Sequence, residues 1–220
     1  MHPQVYRLHF PSYVHLVLNW LWSIATSNPY HKTKEEISAE KECILKDQED
    51  PRHFGPIYEK YYNEIYVYVY KRVDEEYTAA EITSHIFFKC LSKLDKFKYV
   101  GVPFSAWLYR IAINEINQFF RKQKSFPRTV SVKDYQLENL FPEFMRLEPD
   151  DDKLRVIPEL LSMLSPKDLQ LVELRFFEQK SFKEIGFLLD ITEINAKVRT
   201  YRILKKLQKH ADGLNLNWDE

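Results

Sequence analysis

Only four glycines interrupt the 220 residues of this chain, and that scarcity restricts the fold more than any other feature. Doubly wound sheets and P-loop domains use glycine for tight turns and for close backbone approach to phosphate. No G-x-G-x-x-G or G-x-x-x-x-G-K run occurs, so nucleotide chemistry of those kinds is excluded. Charged residues make up 29% and apolar residues 45%, the balance of a globular rather than a disordered chain. Lys+Arg 32 stands against Asp+Glu 32, so net charge says nothing about partners and only its distribution can. Cys43 and Cys90 have no C-x-x-C or Cys/His partner at metal-ligand spacing, and the seven histidines are scattered. Neither a zinc site nor any other cofactor is expected, and the cysteine usage fits a reducing cytoplasm.

Tyr13–Ala25 is apolar but too short to span a bilayer as a helix. It reads as an accessory helix or an over-extended start rather than as a signal peptide. Residues 35–50 carry seven acids against two lysines, and Pro51 and Pro56 then punctuate the entry to an aromatic-rich stretch. Ile57–Val73 has Ile57, Tyr61, Ile65, Tyr68 and Arg72 on one helical track. The alternating Tyr66–Tyr70 run has no nearby strand to pair with, so a helix is predicted there. Ala79–Leu94 is a second helix with a broad apolar face. Phe104–Lys122 is a third, opened by Ser105 as its cap.

Residues 123–153 lose this periodicity. From Asp134 to Asp152 they carry seven acids against Arg146 alone, the composition of an acidic linker longer than an ordinary loop. Helical patterning returns at Leu154–Leu164. Ser165-Pro166-Lys167-Asp168 is a helix start, and Ser181-Phe182-Lys183-Glu184 has the form of a capping box. The predicted fold is all-α, with two small helical domains joined by a flexible acidic linker. The expected units are an N-terminal extension of unassigned role (1–50), a first domain (51–122), the linker (123–153) and a second domain (154–212).

Ser181–Leu189, the break Asp190-Ile191-Thr192 and a longer helix from Glu193 have helix-turn-helix spacing. Projected at 100° per residue, Ala196, Thr200, Ile203, Leu204 and Leu207 share a core face. Lys197, Val198, Tyr201, Arg202 and Lys205 share the opposite face, with cations for phosphates and a phenol for base or sugar. Any surface helix can show a cationic face, and Arg199 projects toward the core edge, where a pair with Glu178 or Glu184 competes with a DNA contact. A second cationic zone, Lys89–Lys124, has eight bases against two acids, interleaved with aromatics. Cations with rings suit single-stranded nucleic acid. Trp107 and Ile111 look buried, so only one or two rings are expected to face outward. No paired acids or nucleophile sit where anything would hold them in working geometry, and an enzyme is not expected.

The run Phe104-Ser105-Ala106-Trp107-Leu108-Tyr109-Arg110-Ile111-Ala112-Ile113-Asn114 resembles the F-x-x-W-L-Y-R-I-A-x-N signature of extracytoplasmic-function sigma factors, two-domain members of the sigma-70 family. Ala80–Lys89 is similar to their A-E-D-L-T-Q-E-V-F-L-K helix. Leu164-Ser165-Pro166 and Ser181–Arg202 are similar to the start and helix-turn-helix of their fourth region. The resemblance implies a factor that binds core RNA polymerase and directs promoter recognition, promoter opening and transcription initiation. Region two would dock on the beta-prime clamp and open the minus-ten element, and region four would read the minus-thirty-five element and lean on the beta flap. Carried over by position, Lys197, Val198, Tyr201, Arg202 and Lys205 would read minus-thirty-five. Phe97, Asn114 and Arg121 would serve minus-ten, and Glu81, Ser84, His85 and Lys89 the polymerase. An anti-sigma factor is a further expected partner, and no stable membrane insertion is expected. Ser84-His85 departs from the family's usual pair, as do Ile194 and Ala196 from its usual Gly and Val. The competing readings are a stand-alone helix-turn-helix transcriptional regulator and a sigma-like adaptor that has lost DNA readout.

Overall fold

A computed structural model of the chain describes residues 37, 40, 41, 44, 54–123 and 161–214, with side chains to residue 210. The Tyr13–Ala25 segment, Cys43, nearly all of the expected linker and the stretch 154–160 lie outside the described residues. Among the described residues the main elements are the α-helices α1 Gly55–Val73, α2 Glu76–Ser92, α3 Phe104–Lys122, α4 Pro166–Val172, α5 Phe182–Leu189 and α6 Glu193–Leu214. A 3-10 turn, Leu94–Lys96, follows α2, and a π turn, Glu173–Phe177, extends α4. No strand occurs among the described residues, and Tyr66–Tyr70 is helical as predicted. Tyr62, Tyr66 and Tyr70 stack in a row at 6.1 Å along α1, which is what i, i+4 aromatic spacing produces on a helix.

Local signals account for most helix starts. The Glu75 carboxylate accepts from the Tyr77 and Thr78 amides and opens α2 three residues before the predicted start. Ser165 caps α4 by accepting from the Asp168 amide, with Pro166 at the first helical position. Ser181 and Glu184 make both halves of the predicted capping box. Helix α3 corrects one expectation. Ser105 lies inside the helix and is buried, and Pro103 in the cap position has no side-chain acceptor to offer. The Phe104 amide instead donates to Glu40 Oε2 at 3.0 Å, a carboxylate 64 residues upstream.

The turn of the helix-turn-helix depends on Gly186. A Cβ there would sit 2.8 Å from the Ile191 carbonyl oxygen and 3.2 Å from the Glu193 amide nitrogen, both backbone atoms that cannot swing aside. Asp190 takes the left-handed conformation at φ 56° and returns its N–H to the Gly186 carbonyl, which reverses the chain. Gly101, at φ 79°, bends the loop before α3 in the same way.

The two expected domains do not stand apart. Their buried residues form one continuous cluster, from Ile57 and Tyr68 through Tyr109 to Leu174, Ile185 and Leu204. At the junction, Arg72 of α1 donates to Glu173 Oε2 at 2.9 Å, and both side chains are less than a tenth exposed. Arg72 also donates to the Tyr68 carbonyl at 2.8 Å and lies 3.6 Å from the centroid of the Tyr68 ring. Burial pushes the Glu173 carboxyl above its usual range and the Arg72 guanidinium partly offsets that. Beside this pair the Tyr109 hydroxyl donates to Glu178 at 3.0 Å, and Lys180 reaches Glu64 at 3.1 Å across the Tyr109 ring.

Replacing Arg72 with Met strands a buried carboxylate and should cost ~3–5 kcal/mol. Adding Glu173→Met should recover most of that loss in urea denaturation, whereas independent surface roles would give additive losses. Gly186→Ala should cost about 1–3 kcal/mol by forcing the turn backbone to shift, read in the same denaturation experiment.

Candidate nucleic-acid interface

The packing requirement of α6 decides which of its side chains face outward. Ala196, Thr200, Ile203, Leu204 and Leu207 are all buried, and the Thr200 hydroxyl donates to the Ala196 carbonyl at 2.9 Å. Lys197, Val198, Arg202 and Lys205 are exposed on the opposite face, as the helical projection predicts. Tyr201 is half-buried and packs against the core, so it contributes an edge rather than a whole ring. Arg199 is paired, but with Asp168 at 3.2 Å instead of either expected partner. Asp168 lies in the first turn of α4, and α6 packs across α4, which brings that carboxylate within reach. The α6 surface therefore presents spaced cations and two exposed aliphatic side chains, Ile194 and Val198, suited to phosphates and base edges.

Helix α3 builds a second surface. Trp107, Asn114 and Arg121 recur every seven residues and so lie along one stripe of the helix. Asn114 and Arg121 are exposed, while Trp107 and Ile111 are half-buried rather than fully enclosed. The Phe97 ring sits 5.0 Å from Trp107 and 5.3 Å from Phe104, which places it at the head of this stripe and half-buried. Tyr99, 38% exposed, is the ring of that loop that faces solvent most openly. Phe104, Tyr109 and Phe120 of this zone are buried, while Phe97, Tyr99, Trp107 and Phe119 reach the surface at least in part. An amide, a guanidinium and aromatic faces in line can stack and hydrogen-bond an unpaired strand.

On α2, Glu81, Ser84 and His85 are exposed on one face and Lys89 is half-buried at its edge. Lys89 Nζ lies 2.6 Å and His85 Nδ1 3.0 Å from the carboxylate of Glu115 on α3, which ties this face to the signature helix. Phe88 completes the face at 65% exposure, its ring parallel to His85 at 6.5 Å. Sequence reasoning missed Phe88 and Glu115. The i, i+3, i+4, i+7 spacing of 81, 84, 85 and 88 was the available signal for the former.

Tyr109 and Cys90 are structural. Burial, with Glu178 next, raises the Tyr109 phenol well above its usual range, so it stays protonated as a donor. Burial pushes the Cys90 thiol up to about 12, which makes it a small hydrophobe rather than a nucleophile. Among the described residues no cluster of three His, Cys, Asp or Glu could hold a metal, and no helix is long and apolar enough to cross a membrane.

Sigma-70 region 2 matches residues 57–126 and sigma-70 region 4 matches residues 154–207. The extracytoplasmic-function RNA polymerase sigma factor BldN of Streptomyces coelicolor is 29% identical over 161 residues, which cover 71% of this chain and 59% of BldN. The corresponding factor SigW of Bacillus subtilis is 24% identical over 173 residues, covering 75% of this chain and 92% of SigW. The structure of CnrH in complex with the cytosolic domain of CnrY superposes with a TM-score of 0.53 at 20% identity, over 80% of this chain and 98% of CnrH. That likeness bears on the fold, and it extends across both helical units. With two family regions matched in order, and with the signature helix and the helix-turn-helix built as described, this chain belongs to the extracytoplasmic-function branch of the sigma-70 family.

Proposed function

We propose that the chain is a promoter-specificity subunit, which binds core RNA polymerase and directs promoter recognition, opening and initiation. The observation that carries this reading is the pairing of a region 2 match at 57–126 with a region 4 match at 154–207. A simple repressor has no use for the first of these. The function is not enzymatic, and the cytoplasm, where transcription runs, is its place of action. Residues 51–122 form the unit that binds polymerase and handles minus-ten, 123–153 the acidic linker, and 154–212 the unit that reads minus-thirty-five.

Within that reading, the exposed face of α2 with Glu81, Ser84, His85 and Lys89 meets the beta-prime clamp. Phe88 supplies the apolar anchor that a protein interface needs. Phe97, Asn114 and Arg121 on and beside α3 hold the unpaired minus-ten strand. Lys197, Val198, Arg202 and Lys205 of α6 enter the major groove at minus-thirty-five, with Tyr201 at the margin, while the second unit rests on the beta flap. An anti-sigma protein is a further partner; CnrH, the similar structure, was solved with the cytosolic domain of CnrY.

Gel filtration of the purified chain with core RNA polymerase tests the central claim, and co-elution at sub-micromolar concentration is expected. Failure of a folded chain to associate would favour a stand-alone regulator. Arg202→Ala should leave thermal stability unchanged, because the side chain is exposed. It should weaken promoter-dependent transcription by the ~1–3 kcal/mol of one base-edge contact, and a melting shift without a transcription defect would make Arg202 structural. Phe97→Ala should retain polymerase binding and lose strand opening, one stacked base contributing ~1–3 kcal/mol. Its defect should shrink on a pre-melted promoter, and equal defects on duplex and pre-melted templates would exclude the stacking role.

A further inference from the structure

The segment before α1 lies upstream of the matched region 2, and no role was read for it from sequence, yet it is built into the first unit. Residues 37, 40, 41 and 44 have helical backbone, and Ile37 and Ile44 are buried. Glu40 anchors the segment. Its Oε2 accepts from the Phe104 amide at 3.0 Å, and its Oε1 accepts from Lys60 Nζ at 3.0 Å and from the Tyr61 hydroxyl. The first N–H groups of a helix lack intrahelical partners, and Pro103 cannot cap them, so this carboxylate does what Ser105 was expected to do. Its negative charge is thereby committed to α3 and Lys60.

The next residue faces the other way. Lys41 is exposed, and its Nζ stands 5.6 Å from the centroid of the Tyr99 ring. Lys41, Ile44, Phe97, Lys98 and Tyr99 together line a cavity of about 260 Å³. That is below the ~300 Å³ at which sites for extended small ligands begin, and it suits a single planar ring. Among the described residues, the lining holds two ammonium groups, two aromatic rings and one aliphatic wall, with no carboxylate. Rings accept a base face, and lysines beside them accept the phosphate attached to it. A carboxylate alone would meet the lysines and leave the rings uncovered, and a purely apolar occupant would cover the rings and leave the lysines unmatched.

We propose that Lys41 and Ile44 form the second wall of a pocket for one unstacked nucleotide of the promoter strand, with Lys41 on its phosphate and Ile44 against its base. Phe97 and Tyr99 provide the opposite wall. This assignment rests on the reading of Phe97 given above. It makes the segment before α1 a contributor to minus-ten binding rather than a plug that competes with DNA.

The test uses holoenzyme reconstituted from the full chain and core polymerase. Single-stranded 12-mers of random sequence are selected on it, and the preferred oligomer is measured by fluorescence anisotropy at several salt concentrations. Lys41→Ala should weaken that oligomer about 5- to 10-fold and flatten the salt slope by ~0.7, the value for one phosphate contact on a single strand. Lys41→Arg should restore both. Because Lys41 is exposed, thermal stability should not change in either variant. An abasic site at the most discriminated position should abolish the effect of Phe97→Ala and leave that of Lys41→Ala, since a phosphate remains there. Unchanged affinity and slope in Lys41→Ala, with weakened binding in Phe97→Ala, would overturn the wall and spare the Phe97 reading. Tighter binding in Lys41→Ala would overturn it in favour of an inhibitory segment. No effect in either variant, or no oligomer enriched over core polymerase alone, would overturn the Phe97 reading as well.

Discussion

The buried pair between Arg72 and Glu173, 101 residues apart, is the contact on which the arrangement of the two helical units depends. Taking both charges out of water costs several kcal/mol per ion, and their attraction repays this only in good geometry. Here the guanidinium is also seated on the Tyr68 ring and carbonyl, so its donors are directed as well as its charge. Such a pair adds little net stability, but it penalises every other placement of the second unit against the first. Glu178 on Tyr109 and Lys180 on Glu64 repeat the pattern within the same junction. These polar contacts sit inside an apolar cluster shared by both units, so they add direction to an interface that burial already holds together. Parting the units returns the charges to water, so separation recovers much of the desolvation that closure cost. The junction defines one register, within an apolar cluster that is continuous across both units.

What was legible in the sequence follows from how far apart the interacting groups lie. Ser165 with Asp168, and Ser181 with Glu184, are three residues apart, and both caps formed as read. The two faces of α6 were equally legible, because helical periodicity is local and the apolar face has one place to go. Expectation failed where the partner lies far along the chain. The local pattern offers Ser105 as the cap of α3, while the acceptor is Glu40, 64 residues earlier. For Arg199 the sequence leaves a pair with Glu178 or Glu184 level with a DNA contact, while the α4–α6 packing brings Asp168 to it. Arg72 sits on the apolar track of α1 and was read as part of it. Nothing nearby announces that its charge is matched by Glu173.

The signature helix α3 shows how one sequence serves two demands. Its inward positions, among them Phe104, Leu108, Tyr109, Ala112 and Ile116, build the core and the junction. Its outward stripe at Trp107, Asn114 and Arg121 follows a seven-residue repeat that the core engages only at Trp107. Tyr109 belongs to the first set, and its protonated hydroxyl reaches the second unit. A resemblance built on the whole run therefore mixes residues retained for packing with residues available for contact, and only burial separates them. Phe97 stands on the boundary, with Phe104 and Trp107 holding its ring and leaving part of it open.

Zero net charge and a nucleic-acid role are compatible because the charges are sorted by place. The α6 face presents Lys197, Arg202 and Lys205 outward, while Glu184 of α5 is held in a capping box. Each phosphate contact contributes a salt-dependent increment, about −0.9 in slope per contact on duplex DNA. Three cations therefore give an affinity that physiological salt largely erodes. Affinity sufficient for promoter choice has to come from several such surfaces acting on one assembly. Linking raises the effective concentration of the second contact once the first has formed. In the proposed function, the α2 face would supply a protein contact, the α3 stripe a single-strand contact and α6 a duplex contact. None of them needs to be strong, and their specificity resides in the requirement that all three be met together.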